Sequence, residues 1–91
     1  MNNYNPDNIR AFLLRKYSTE LTSRGLDSVN IPDNFDLFKE GIIDSLGVLE
    51  MIGSVEREFG VALDMEGLDA EQLTILGPFC QYAAMNGKSL P

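Results

Sequence analysis

The stretch from Asp36 to Ile52 contains the residues of this sequence that are best placed to do chemistry. Ser45 follows a long loop and precedes an apolar run with helical spacing, so its hydroxyl is expected to lie exposed at a helix N-terminus. A phosphate on that oxygen would face backbone N–H groups without helical partners and the positive end of the helix dipole. Ser45 is therefore a candidate for carrying a phosphodiester. The preceding Asp44 either caps the helix or contacts a metal ion held by a modifying enzyme.

The same two residues also have a simpler interpretation. Asp and Ser are among the preferred helix N-caps, and an Asp-Ser-Leu triplet is made of common residues. Taken alone, Asp44 and Ser45 indicate the start of a helix and nothing more. The choice between a modification site and an ordinary cap depends on the rest of the chain.

Other kinds of site find little support in the composition. The chain has one cysteine and no histidine, which excludes an internal disulfide and the usual zinc sites. No histidine is available to activate Cys80, which is predicted to be a small core residue. The acidic segment 64–69 lacks the ligand spacing and the terminal glutamate of a calcium loop. Because no convergent catalytic set is present, we expect neither a metal site nor an enzyme.

Length and charge restrict the class of protein further. Ninety-one residues are enough for one domain, which we assign to 1–91 with a core of about 6–85 and short flexible ends. Residues 1–30 hold four basic and three acidic residues, whereas residues 31–91 hold three basic and eleven acidic ones. Such acidity disfavours nucleic acid and favours partners with basic surfaces, although solubility alone also explains it. The sequence shows neither a leader pattern nor a membrane-length apolar run, which predicts a cytoplasmic protein with no membrane partner.

Helical periodicity dominates the elements that must position Ser45. A first helix is predicted over 6–24, with Asn5 as its N-cap and Gly25 at its end. A second helix is predicted over 45–59 and ends at Gly60. Its apolar stripe is expected to consist of Leu46, Leu49, Ile52 and Val55, at three-residue spacing.

The remaining elements are shorter. One or two helical turns are expected over 65–73. The last helix is predicted to start near Thr74 or at a Gly77 cap and to run to about Met85, and the Gly77 cap is favoured because it puts Pro78 at the first helical position. Its inward side chains are expected to be Phe79, Cys80, Tyr82 and Ala83.

The connection over 25–44 is too long to be structureless in a small domain. Gly41 is placed to adopt a positive φ just before the second helix. The loop contains apolar side chains that are expected to insert between the helices, namely Ile31, Phe35, Leu37, Phe38 and Ile42. Because no run alternates as a strand does, the fold class is predicted to be all-α. It is a four-helix bundle with three longer helices, one short helix and a long loop after the first.

The wider pattern around Ser45 resembles the acyl and peptidyl carrier protein family. In that family an Asp-Ser-Leu motif opens the second helix, and an aromatic residue stands a few positions before it, as Phe38 does here. An apolar stripe with an embedded Glu follows and ends as Glu56-Arg57-Glu58-Phe59-Gly60. Tyr82 matches a frequent aromatic residue of the last helix. The resemblance covers roughly residues 6–85, and length, acidity and helix order agree with it.

The resemblance implies an acyl-carrier-like bundle that is monomeric and not itself an enzyme. Its cofactor would be 4′-phosphopantetheine, joined to Ser45 from coenzyme A by a phosphopantetheinyl transferase with Mg²⁺, beside Asp44 and Leu46. The thiol of that arm would hold an acyl or aminoacyl group as a thioester. A ligase that activates the acyl or aminoacyl group would load it, and downstream transferases, synthases or modifying enzymes would use it.

Contacts with these partners are expected along the second helix, at Gly47, Glu50, Met51, Gly53, Ser54 and Arg57. Leu46, Val48 and Met51 are interpreted equally well as core residues or as partner contacts at the lip of a cargo cavity.

Two features bear on the subtype of carrier. The approach Gly41-Ile42-Ile43-Asp44-Ser45, followed by Gly47, looks more like stand-alone carriers for amino acids, including D-alanine, or for secondary-metabolite units. Gly47, Gly53 and Arg57 stand where fatty-acid carriers are often acidic or bulky. Two alternatives stay open, namely a housekeeping carrier of fatty acid synthesis and an unmodified helical module for protein interaction.

Overall fold

The computed structural model describes residues 4–89, apart from the side chain of Ser28. Helix α1 runs from Pro6 to Lys16, and its N-cap Asn5 accepts a hydrogen bond from the N–H of Asn8 at 2.8 Å. The chain leaves helical geometry at Tyr17 (φ −101°, ψ 18°), and helix α2 then spans Ser18–Ser23. The predicted helix over 6–24 is therefore divided in two. No glycine or proline signals the break in the sequence.

Helix α3 spans Ser45–Phe59, so its predicted bounds are confirmed. Asp44 is the N-cap, since its carboxylate accepts a hydrogen bond from the N–H of Gly47 at 2.7 Å. Gly60 ends the helix with a left-handed φ of 65°.

The buried face of α3 differs from the predicted stripe. Leu46 and Leu49 are 77% and 68% exposed, whereas Met51 and Val55 are completely buried. The reason is geometric, because each step of three residues falls about 60° short of a full helical turn. Leu46 and Val55 are three such steps apart and lie on opposite sides of the helix, so the four-residue stripe was wrong at its N-terminal half.

The loop between α2 and α3 contains a short 3₁₀ helix over Ser28–Asn30 and then runs across the core. Three of its five predicted anchors are buried, and Phe35 is half-buried. The buried set consists of Ile31, Leu37 and Ile42, joined by Ile43. Phe38 is 48% exposed, so its prediction as a core anchor was wrong. Its neighbour Leu37 occupies the interior instead.

A two-stranded sheet and a fourth helix complete the described fold. Strand β1 (Val61–Leu63) pairs antiparallel with β2 (Gly87–Ser89), which follows helix α4 (Leu76–Asn86) directly. Residues 4–89 are therefore mostly helical, with four α-helices, and not all-α. Strands of three residues are too short to show alternation in the sequence, and this is why both were missed.

Two further predictions about this half of the chain need correction. Over 65–73 the chain forms isolated hydrogen-bonded turns, such as Gln72 N–H to the Asp69 carbonyl at 2.9 Å, and no helix. Helix α4 begins two residues earlier than a Gly77 cap allows, with Ile75 as its N-cap. The short fourth helix of the described fold is thus α2, not a segment after α3.

The core lies where α1 packs against α4, with α3 and the loop closing the other sides. At the chain ends, the Tyr4 ring packs 5.5 Å from the Phe59 ring, and its hydroxyl donates to the carbonyl of Ala83. Together with β2, this extends the ordered core beyond the predicted 6–85. The predicted flexible ends otherwise fall on residues 1–3, 90 and 91, which lie outside the described residues. No helix within residues 4–89 is long and apolar enough to cross a membrane.

Candidate functional site

Ser45 lies at the surface as the first residue of α3. The N–H of Gly47 is bound by the Asp44 carboxylate, and the N–H of Val48 donates to the Asp44 carbonyl at 3.1 Å. The N–H groups of Ser45 and Leu46 belong to the first helical turn and have no carbonyl acceptor within the helix. An exposed hydroxyl beside two such donors, at the positive end of a 15-residue helix, is a good environment for a phosphate ester.

The segment that leads to Ser45 is fixed against the start of α4. Leu37 N–H donates to the Thr74 carbonyl, and Leu76 N–H donates to the Phe35 carbonyl, both at 2.9 Å. Further along, the N–H groups of Ile42 and Ile43 both donate to the Leu37 carbonyl, at 2.9 and 3.2 Å. These bonds hold the loop at several points and so determine where α3 begins.

Asp36 is a polar anchor of this loop. Its carboxylate accepts hydrogen bonds from the Thr74 hydroxyl at 2.7 Å and from the N–H groups of Phe38 and Lys39 at 3.0 and 3.1 Å. Partial burial acts to raise the pKa of Asp36, but these three hydrogen bonds outweigh it and hold the pKa below its ordinary value. The carboxylate is therefore bound in its charged form.

The predicted partner-contact residues do not share one face. Gly47, Glu50, Gly53 and Arg57 lie at or near the surface of α3. Met51 and Ser54 are buried, so neither presents its side chain at the surface, and for Met51 this agrees with the core interpretation that the sequence left open. The same helical drift that misplaced the apolar stripe explains this, because Met51 and Ser54 lie on the side of α3 that faces the core.

Glu50 links α3 to α1 by an ion pair. Its carboxylate pairs with Lys16 at 2.9 Å and with Arg57 at 3.4 Å, and it accepts a hydrogen bond from the hydroxyl of Ser54. The bonds from Ser54 and Lys16 lower the pKa of Glu50. Glu50 is therefore an ionised group that is partly neutralised by its neighbours.

A groove of about 390 Å³ adjoins Ser45 and separates the start of α3 from the junction of α1 and α2. Its charged and polar lining comes from Tyr17, Glu20, Asp44 and Glu50, and the remainder from Ile42, Ile43, Leu46 and Gly47. Its volume lies at the lower end of the range for small-ligand sites.

Tyr17 is the unusual member of this groove. It is 8% exposed, and its hydroxyl is the one buried side-chain polar atom in the described part of the chain that has no hydrogen-bond partner. A buried hydroxyl left unpaired costs about 1–3 kcal/mol. Burial, with the nearby carboxylates of Glu50 and Glu20, raises the pKa of Tyr17 to about 12. The phenol is therefore neutral, buried and close to negative charge.

Sequence reasoning missed Tyr17 and Glu20 as members of the site. They lie more than 20 positions before Ser45 in the chain, and neither belongs to a local motif. They reach the groove from the junction of α1 and α2, and no sequence signal marked that junction.

The other candidate nucleophile is inaccessible. Cys80 is buried in α4, and burial raises the pKa of its thiol to about 12, which suits a core residue. Within residues 4–89, no group of three or more metal-ligating side chains forms a metal site.

Comparison with known proteins agrees with this geometry. The family model for the phosphopantetheine attachment site matches residues 20–76, more than half of the chain, and this range includes Ser45 and every residue that lines the groove except Tyr17. The chain belongs to that phosphopantetheine-binding family of carrier proteins, and 4′-phosphopantetheine is its covalently attached cofactor. The exposed hydroxyl and free N–H groups at Ser45 fit the phosphate end of that cofactor.

One relative is a carrier protein whose name gives its cargo. The chain is 28% identical over 46 residues to the D-alanyl carrier protein of Bacillus velezensis. The match covers 50% of this chain and 59% of the relative, so it spans little more than half of that protein's length. No solved structure matches the chain at a significant level.

Proposed function

We propose that this chain is a non-catalytic cytoplasmic carrier that holds acyl or aminoacyl intermediates on 4′-phosphopantetheine attached to Ser45. The observation that carries the proposal is the position of Ser45. It is an exposed serine at the first position of α3, preceded by the capping Asp44, within the matched family segment. The terminal thiol of the cofactor supplies a thioester linkage for the cargo, and partner enzymes supply the catalysis.

The attachment step asks little of this chain. The Ser45 Oγ bonds to the phosphorus that bears the pantetheine group, the hydroxyl proton is lost, and the anhydride bond of coenzyme A breaks with the nucleotide as leaving group. Asp44 keeps the start of α3 in place through its bond to Gly47. The free N–H groups of the first turn stabilise the phosphate once it is attached.

The partners follow from the same role. A phosphopantetheinyl transferase installs the arm, an activating ligase loads the cargo, and downstream enzymes accept it from the monomeric carrier. Leu46 and Leu49 expose apolar surface next to Ser45, and the first turn of α3 is where such enzymes approach the arm. The relative named as a D-alanyl carrier supports an amino acid as the cargo.

The decisive experiment is intact-protein mass spectrometry after incubation with coenzyme A and a broad-specificity phosphopantetheinyl transferase. We expect the wild-type chain to gain one phosphopantetheine mass. The Ser45→Ala variant should stay folded and gain none, because the cap of α3 is Asp44, which this change leaves in place, and even the loss of a cap costs only about 1 kcal/mol.

Ser89→Ala is the matched control, since it removes an exposed hydroxyl in β2, and it should be modified as the wild type is. An adduct on the Ser45→Ala variant would refute the assignment. A wild-type chain that accepts no arm would favour the unmodified interaction module instead.

A further inference from the structure

The groove beside Ser45 is lined by more acidic side chains than are paired with basic ones. Glu50 is paired with Lys16 and Arg57, but no ion pair to Glu20 or Asp44 is found within residues 4–89. The groove therefore presents two carboxylates without cationic partners, one from α2 and one from the residue before Ser45. Such a surface attracts a cation and repels an anion.

The Tyr17 hydroxyl gives an independent indication that the groove holds a ligand. Tyr17 lines the groove, and its hydroxyl lies in the interior and has no hydrogen-bond partner. Buried polar groups in proteins almost always have a partner, so an unpaired one calls for a missing donor or acceptor. The carboxylates of Glu20 and Glu50 are acceptors only, and a phenol oxygen also accepts. A group that offers several N–H donors and a positive charge satisfies all of them.

The protein already shows this kind of binding at the edge of the groove. The ammonium of Lys16 bonds to Glu50 and lies 5.6 Å from the centre of the Tyr17 ring. An alkylammonium is therefore compatible with these surroundings. Within the described part of the chain, the carboxylates of Glu20 and Asp44 have no cationic partner and are available to a second ammonium group.

We propose that this groove binds the ammonium group of an aminoacyl cargo carried on the arm at Ser45, a proposal that rests on the proposed function. The arm is attached at the rim of the groove, because Asp44 and Leu46 both line it. A short flexible tether gives an effective concentration on the order of mM, so a weak contact with Glu20, Asp44 and Tyr17 is enough to populate the bound state. The carrier thus distinguishes an aminoacyl cargo from an acyl cargo of the same size.

The test uses two cargoes that differ only in the charged group. Glycyl and propionyl groups have the same shape, with an ammonium in one where the other has a methyl. Each is attached to Ser45 from an amide analogue of coenzyme A, in which nitrogen replaces the thioester sulfur and prevents hydrolysis. The readout is the set of backbone amide shifts of the ¹⁵N-labelled protein, which needs no partner enzyme.

We expect the backbone amide shifts of Tyr17, Glu20 and Gly47 to differ between the glycyl form and the propionyl form. This shift difference should vanish in about 1 M salt, where charge screening is strong. Glu20→Gln and Tyr17→Phe should each reduce the difference by at least half. Glu71→Gln is the control, since it removes the same charge from an exposed residue outside the groove, and it should leave the difference intact.

Two results would overturn the inference. One is identical groove shifts for the glycyl and propionyl forms, and the other is a difference that survives in both Glu20→Gln and Tyr17→Phe. Either result leaves the proposed function standing, because the arm must already be attached for the comparison to be made. Failure of attachment is seen separately, as the absence of the added mass on Ser45.

Discussion

At the scale of single residues, the start of α3 follows from rules that act over a few positions. Asp44 is one of the two caps that the sequence allows, the other being Ser45, and Ser45 is exposed because it is the first residue of the helix. Such features are predictable because a capping side chain bonds to an N–H two or three residues away. The roles of Tyr17 and Glu20 were not predictable in this way, since their neighbours in space are distant in the chain.

Asp36 gives a prediction at this scale. Its pKa is held below the ordinary value of 3.8 by hydrogen bonds from Thr74 and the loop, so the ionised carboxylate stabilises the folded state above that pH. This contribution is lost as the pH falls below 3.8, because the proton then binds the unfolded chain more readily. Asp36→Asn should make the free energy of unfolding less steeply dependent on pH on the acid side, as measured by urea unfolding between pH 5 and pH 3 (values from about one unit above the ordinary pKa to about one below).

Asp69→Asn is the matched control, since it removes an exposed carboxylate whose side chain makes no hydrogen bond in the described structure. It should leave the slope as in the wild type. Equal slopes for the wild type and Asp36→Asn would show that the bonds to Asp36 do not favour its charged form.

At the scale of elements, the bounds of α3 were predictable and its buried face was not. Strong terminal signals, Asp44 and Gly60, determined where the helix starts and stops. The three-residue spacing of its leucines suggested a core face, but the side that faces the core is the one with Met51 and Val55. Which side is buried depends on the neighbouring elements, so a stretch of apolar residues that extends around the helix leaves the choice open.

Paired substitutions in α3 test this assignment. Met51→Ala should lower the free energy of unfolding by about 2–5 kcal/mol, because it removes a fully buried side chain. Leu49→Ala removes a similar volume from a side chain that is 68% exposed. It should change the free energy of unfolding by no more than about 0.5 kcal/mol. Urea unfolding of both variants checks the prediction, and a larger loss for Leu49→Ala would reverse the orientation of α3.

At the scale of the whole molecule, distant parts of the chain close the fold. The Tyr4 ring lies against Phe59, its hydroxyl bonds to Ala83, and β2 pairs with β1 across some 25 residues of sequence. The loop before α3 depends in the same way on Thr74 and Leu76. These contacts were invisible to local pattern reading, because each joins two segments that look unremarkable by themselves.

The interior position of Cys80 has a consequence for the fidelity of the carrier. A thioester passes its acyl group to any accessible thiolate, and Cys80 is the only cysteine in the sequence. Since burial raises the pKa of that thiol to about 12, the protein offers no thiolate of its own to capture the cargo, and self-acylation is suppressed.

Iodoacetamide should therefore alkylate one thiol, that of the arm, in the native protein that carries the arm, and no thiol in native Ser45→Ala. After unfolding, each protein should gain one further alkyl group, on Cys80. Mass spectrometry counts the added groups. Rapid alkylation of native Ser45→Ala would mean that Cys80 competes for the cargo.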